Sequence, residues 1–151
     1  MNWYKWARTF RVDPESDHDE TGQAEGLFNR LKIRYGRSKD ISHVAVEDGQ
    51  VIGAVASGWE HGGETDDRKI LDYSFDLVVD PQFRRIGVGK KLIDDAIREY
   101  ERDKEMYRES EDAHTRMRLW VINPALVPYL ESIGFEVESQ YKDGSAHLFR
   151  Y

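Results

Sequence analysis

The chain has 151 residues, 39% of them hydrophobic, and a formal net charge of −7, which predicts one domain over residues 1–151 with a substantial core. No apolar run approaches a membrane span and the start lacks the apolar stretch of a signal peptide, so a cytoplasmic location and no membrane partner are expected. The acidic balance argues against nucleic-acid partners, and the absence of cysteine excludes disulfides, thiolate metal sites and a cysteine acyl-enzyme.

In chain order, Met1 to Val12 is rich in aromatic residues and Arg and reads as a first strand, although Trp3 and Trp6 also suit a helical turn. Asp13 to Thr21 is polar, contains Pro14 and offers Asp17, Asp19 or Thr21 as a helix N-cap. Ala24, Leu27, Phe28 and Leu31 then recur at helical spacing and predict a helix to about Tyr35. Val44 to Glu47 and Val51 to Ser57 flank Asp48-Gly49-Gln50, a hairpin signal, because glycine accepts the positive φ that tight hairpin turns require. His61 to Asp67 reads as a loop. In the fourth strand, Ile70 to Val79, Tyr73, Phe75, Leu77 and Val79 share one face and Asp72, Ser74 and Asp76 the other.

A second helix begins at Val88, its apolar stripe formed by Val88, Leu92, Ile93, Ala96, Ile97 and Tyr100. The charged segment Arg102 to Thr115 either extends that helix or loops out. Met117 to Ile122 is the fifth strand, and a short helix follows to Ile133, with Gly134 as its left-handed stop. Phe135 to Tyr141 and Ala146 to Tyr151 close the chain as a hairpin around Asp143-Gly144. The five histidines lack metal-ligand spacing, so no metal is expected.

The chemistry concentrates between the fourth strand and the second helix. A strand that turns through Gly87 and Gly89 into a helix leaves backbone N–H groups at a positive helix end, which suits a pyrophosphate. A P-loop needs a glycine where Arg84 stands and a Ser or Thr where Lys91 stands. The dinucleotide fingerprint needs a glycine or alanine where Leu92 stands, so neither pattern fits.

The run Asp76 to Gly89, with Asp80-Pro81 and Arg84-x-x-Gly87-x-Gly89, resembles the coenzyme A loop of the GNAT N-acetyltransferase superfamily. Trp120 to Pro124 and Tyr129 to Phe135 resemble its closing strand, helix and Gly-Phe turn. The resemblance implies an α/β fold with a mixed, mostly antiparallel sheet and helices on both faces. It also implies strands four and five parallel and splayed around acetyl-coenzyme A, which serves as co-substrate.

By the same resemblance, the backbone of Leu77, Val78 and Val79 holds the acetyl oxygen and the pantetheine arm. Arg84, Arg85, Ile86, Gly87, Val88, Gly89 and Lys90 surround the pyrophosphate, and Asn123 bonds the pantetheine arm or simply caps the helix ahead of Pro124. As proton acceptor from the amine, strand four offers Asp72 and Asp76: Asp76 stands where family members often carry an acidic residue, or else it orients a loop or pairs with a neighbouring Arg, while the glutamate of histone-modifying relatives falls on Tyr73 beside Asp72. The usual tyrosine acid, seven residues past the asparagine, falls on Leu130; adjacent Tyr129 takes the role only if the helix starts late or irregularly, which Pro128 permits.

The expected function is an N-acetyltransferase acting on a primary amine of a small molecule or peptide. The alternative is a catalytically weak or inactive module of the same fold that binds acyl-coenzyme A or a protein. The resemblance locates the acceptor pocket in Asp17 to Ser42, Glu60 to Lys69 and Tyr141 to Ser145. Trp59, Trp3, Tyr4 and Trp6 would line it and face an ammonium group, or else serve packing. An exposed hairpin or aromatic terminus would support a homodimer.

Overall fold

Alternating apolar residues and glycine turns build a seven-stranded mixed sheet of order β1-β2-β3-β4-β5-β7-β6, seen in a computed structural model that describes residues 7–13, 15–65, 68–84 and 87–151. The strands are β1 (Arg8–Arg11), β2 (Asp40–Glu47), β3 (Gln50–Thr65), β4 (Arg68–Val79), β5 (Ala113–Val121), β6 (Glu136–Gln140) and β7 (Ala146–Arg150). The helices are α1 (His18–Arg30), α2 (Val88–Glu111) and α3 (Val127–Ser132). β1 with β2, β2 with β3, β5 with β7 and β6 with β7 are antiparallel, while β4 and β5 are parallel. The expected mixed, mostly antiparallel sheet is present.

The chain forms two compact units, Met1–Ser57 with Leu77–Glu99 and Gly58–Asp76 with Tyr100–Tyr151. In the first, α1 buries Ala24, Leu27 and Phe28 against Val44, Val46, Ala54, Ala56 and Val78. Asp48 and Gly49 both have positive φ, 49° and 76°, which is the two-residue turn whose twist matches paired strands. Gln23 of α1 ties that turn down, accepting from the Val51 N–H at 2.9 Å and donating to the Gly49 carbonyl at 3.4 Å. Buried Glu99 of α2 takes an ion pair from Arg11 of β1 and lies 3.5 Å from Nε2 of buried His43 on β2.

The second unit is organised around aromatic rings. Trp59 stacks on Tyr107 at 4.2 Å and on Tyr100 at 5.8 Å, and meets Tyr73 edge-on at 5.5 Å. The Tyr100 hydroxyl lies 3.1 Å from that of Thr115, so α2 is pinned to β5. Gly134, at φ 100°, ends the turn after α3, and Arg150 donates to the Ile133 carbonyl beside it at 3.0 Å. Asp143 accepts from the N–H and hydroxyl of Ser145 and shapes the β6–β7 turn.

Four expectations about the elements need correction. The first helix stops at Arg30 instead of Tyr35, because Lys32 turns left-handed (φ 58°) and the Ile33 N–H returns to the Phe28 carbonyl at 3.0 Å. Residues His61 to Thr65 are strand, the continuation of β3, and β4 begins at Arg68. Of the two readings of Arg102 to Thr115, the helical one holds through Glu111; left-handed Asp112 (φ 48°) then releases the chain into β5, four residues earlier than expected. Trp3, Tyr4, Trp6, Pro14, Asp66, Asp67, Arg85 and Ile86 lie outside the described residues.

Gly53 lets α2 approach β3, since a Cβ there would sit 3.0 Å from Leu92, 3.1 Å from Val88 and 3.2 Å from the Val78 carbonyl oxygen. That oxygen belongs to strand backbone and cannot turn away. Gly53→Ala is expected to lower unfolding free energy by about 1–3 kcal/mol, read from the midpoint of urea unfolding; an unchanged midpoint would refute this packing argument.

Candidate active site

The end of β4 is held by Asp80. Its N–H donates to the Ile52 carbonyl at 2.8 Å, and its carboxylate accepts from the Gln82 N–H at 3.0 Å and from Arg30 at 2.9 Å. Asp80 thereby caps the short 3-10 turn Pro81–Phe83 and sets the direction in which the chain leaves the strand. Sequence reading gave Asp80 no such role, although an Asp before a Pro is a helix-start signal.

Beyond that turn, exposed Arg84 lies with Nε 3.4 Å from the Val79 carbonyl oxygen. Gly87 has φ 89°, a conformation that favours glycine. Its carbonyl accepts the first intrahelical bond of α2, from Lys91 at 3.0 Å, so the N–H groups of Val88, Gly89 and Lys90 have no intrahelical acceptor. The first turn of this 24-residue helix contains no acidic residue, whereas Lys90 and Lys91 stand in it. Cations at the positive end of a helix dipole are unfavourable unless an anion joins them. Lys91 reaches Asp95 at 2.9 Å, and Lys90 is exposed beside the helix start.

Leu77 and Val79 turn their side chains toward this first turn, lying 3.8 Å and 3.5 Å from where a Cβ on Gly89 would be. Val78, between them, is buried in the core. The first unit therefore brings Leu77, Val78, Val79, Arg84, Gly87, Val88, Gly89 and Lys90 together at one strand-to-helix junction. A pyrophosphate fits this donor set, which combines amides without an intrahelical acceptor, a glycine with positive φ and basic side chains in the first turn.

The second unit carries Asp72, Asp76, Asn123 and Tyr129. Asp72 is 1% exposed and is bound by Arg116 of β5, with Nε and one guanidinium nitrogen on its two oxygens at 2.6 and 3.3 Å. The hydrogen bond to Asp72 is the main reason the Arg116 guanidinium is held above its ordinary pKa. A Cβ on Gly62 would fall 2.5 Å from the Asp72 carboxylate, so β3 carries a glycine where this pair crosses it. Asp72 is structural, and Asp76, also buried, is the carboxylate further along the same strand face.

Asn123 caps the 3-10 turn Pro124–Leu126, accepting from the Ala125 N–H at 3.1 Å, as its capping alternative foresaw. α3 begins only after that turn, with Pro128 in its first turn, which is the late start that a role for Tyr129 requires. Leu130 is fully buried and Tyr129 half-buried. Trp59 serves packing, as its alternative reading held. Among the described residues, no group of three or more His, Cys, Asp or Glu side chains is arranged to hold a metal ion, and no helix is long and apolar enough to cross a membrane.

A family model described as an acetyltransferase (GNAT) domain matches residues 38–137. No curated protein matches the chain. Among solved structures, the fold is similar to Naa50 of Arabidopsis thaliana in complex with the bisubstrate analogue CoA-Ac-MVNAL, with a TM-score of 0.63 and 14% identity over 97% of this chain and 99% of that one. It is also similar to a GNAT family acetyltransferase from Elizabethkingia anophelis with acetyl-CoA bound, with a TM-score of 0.56 and 12% identity over 96% and 97% of the two chains. Ard1 from Thermoplasma volcanium gives a TM-score of 0.56 and 17% identity over 96% and 97%.

Removing one partner of a buried ion pair strands the other charge at a cost of about 3–5 kcal/mol. Arg116→Met is therefore expected to destabilise the protein by about 3 kcal/mol in denaturant unfolding, far more than Arg102→Met on the exposed side of α2. Equal effects would show that Asp72 does not depend on Arg116.

Proposed function

The chain belongs to the GNAT acetyltransferase family, and on that premise we propose that residues 1–151 form a single N-acetyltransferase domain that transfers an acetyl group from acetyl-coenzyme A to a primary amine of a small molecule or peptide. The observation that carries this reading is the start of α2, where a positive-φ glycine, first-turn amides without an intrahelical acceptor, and a first turn that holds lysines but no acidic residue suit a pyrophosphate. Coenzyme A supplies the acetyl group as a thioester; the new bond joins amine nitrogen to acetyl carbon, the carbon–sulfur bond breaks, and the sulfur leaves as thiolate.

The residues divide this work by position. Arg84, Gly87, Val88, Gly89 and Lys90 bind the pyrophosphate through backbone N–H groups and charge. Arg85 and Ile86 belong to the same loop by sequence. Backbone groups of Leu77, Val78 and Val79 orient the pantetheine arm and the acetyl oxygen, a task that depends on strand geometry and leaves the side chains free to be apolar. Asn123 assists at the arm.

An alkylamine with a pKa near 10.4 is almost wholly protonated at neutral pH, and Asp76 receives its proton, directly or through water. Asp72 does not compete for that role, because its two oxygens are committed to Arg116. Tyr129 donates to the departing sulfur. Because the acceptor proton must be removed before or during attack, Asp76→Asn is expected to reduce kcat roughly a hundredfold while the melting shift with coenzyme A is retained. Unaltered turnover across pH would remove Asp76 from the mechanism.

Buried Leu130 at the usual position of the acid favours a second reading, a module that binds acyl-coenzyme A without turnover. Release of free thiol from acetyl-coenzyme A in the presence of an amine panel separates the two. The shared premise is tested by thermal unfolding with acetyl-coenzyme A, coenzyme A, ATP and NAD. At a hundredfold excess over Kd the two coenzyme A species are expected to raise the melting temperature by roughly 5–10 °C; no response, or a response to ATP or NAD instead, would overturn the coenzyme A reading.

A further inference from the structure

An exposed aromatic surface starts one residue beyond the last residue pair of β4 and β5. In the parallel register of β4 and β5, Ser74 is paired with Arg118 and Phe75 with Leu119. The next residues are Asp76 and Trp120, and strand alternation puts them on the face that carries Ser74 and Arg118. Trp120 is paired with His147 on β7, with the two rings 6.2 Å apart. Tyr141 meets the His147 ring edge-on at 5.6 Å, and its hydroxyl lies 3.0 Å from Nδ1. Ile122 follows Trp120 by two residues. Trp120, Ile122 and Tyr141 are 37%, 46% and 47% exposed, and they are three of the six large hydrophobic residues exposed among the described ones.

Contiguous exposed apolar side chains mark a surface that binds something. Here the surface borders a buried carboxylate at one end. It also borders an ion pair, since Arg118 lies one step back in register and reaches Glu138 of β6 at 3.4 Å. A polyamine or amino sugar carries several ammonium groups and needs a carboxylate for each. This surface offers the Asp76 carboxylate, an aromatic and aliphatic floor, and a second carboxylate, Glu138, that Arg118 already engages.

Resting on the acetyltransferase reading, we propose that Trp120, Ile122, Tyr141 and His147 form the acceptor platform, and that the acceptor is a primary amine carried on an apolar or aromatic group. Its ammonium points toward Asp76 and its arm lies on Trp120 and Tyr141. This differs from the sequence expectation, which drew the aromatic contribution from Trp59 and the N-terminal tryptophans. The platform also explains a tryptophan left exposed on a strand whose neighbours, Leu119 and Val121, are buried.

The test uses the full chain, wild type and Trp120→Ala and Tyr141→Ala, with thiol release measured against phenethylamine, hexylamine, spermidine and glucosamine. Phenethylamine and hexylamine are expected to exceed spermidine and glucosamine at least tenfold in kcat/KM. Trp120→Ala is expected to raise KM for phenethylamine about tenfold with kcat nearly constant, as loss of equal ground-state and transition-state binding requires. Both variants should keep the wild-type melting shift with coenzyme A, which shows that folding and cofactor binding survive.

Preference for spermidine or glucosamine, or an unchanged KM in Trp120→Ala, would overturn the platform while leaving the acetyltransferase reading intact. Should coenzyme A bind without any turnover, fluorescence decides: quenching by phenethylamine in the wild type that disappears in Trp120→Phe supports the platform, and its absence overturns it. No melting shift with coenzyme A would overturn the family mechanism, and the platform with it.

Discussion

The ion pair between Asp72 and Arg116 is the constraint from which the rest of the second unit follows. It joins directly paired residues of β4 and β5, with the carboxylate almost wholly removed from water. Parallel strands gain no help from a tight turn in finding register, because a long crossover separates them. A one-residue slip would bury an unpaired carboxylate and an unpaired guanidinium and would turn Asp76 and Trp120 to opposite faces. The pair binds the sheet to one register, and Gly62 on β3 is the space that register requires.

The junction in the first unit depends on local chemistry of a different kind. Asp80 fixes where β4 ends, and Gly87 fixes where α2 begins. Between them the chain collects positive charge at a helix end that already has positive character. Asp95 answers part of that charge by pairing with Lys91 at 2.9 Å, one turn further along the helix.

What could be read in the sequence was mostly what neighbouring residues decide together. Asp48-Gly49, Gly134 and Asp143-Gly144 each gave their turns because a positive φ or a side-chain cap is a local demand. The element order was legible for the same reason, whereas the parallel fourth and fifth strands were expected from the family resemblance alone, and a late start of the last helix stood only as the condition for a role of Tyr129. The extension of β3 to Thr65 and the first two residues of β4 were missed because Gly62 and Gly63 look like loop residues until Asp72 is seen beside Gly62. The pairing of Asp72 with Arg116 spans 44 residues and leaves no local trace. Nor does sequence distinguish a tryptophan stacked among rings of the second unit, Trp59, from one left exposed on β5 of the same sheet, Trp120.

Among the described residues, the sheet ends on β6, whose outer edge has no further strand. Its residues Glu136, Val137 and Glu138 are exposed, and a bulge breaks its ladder between Val137 and Ser139. A bare strand edge is a template on which other chains grow, and charge and irregular spacing are two of the ways a protein spoils that template. Two carboxylates side by side with a bulge make β6 a poor seed for aggregation. The same short strand that completes the fold thus also limits it, keeping a seven-stranded sheet from becoming an open-ended one.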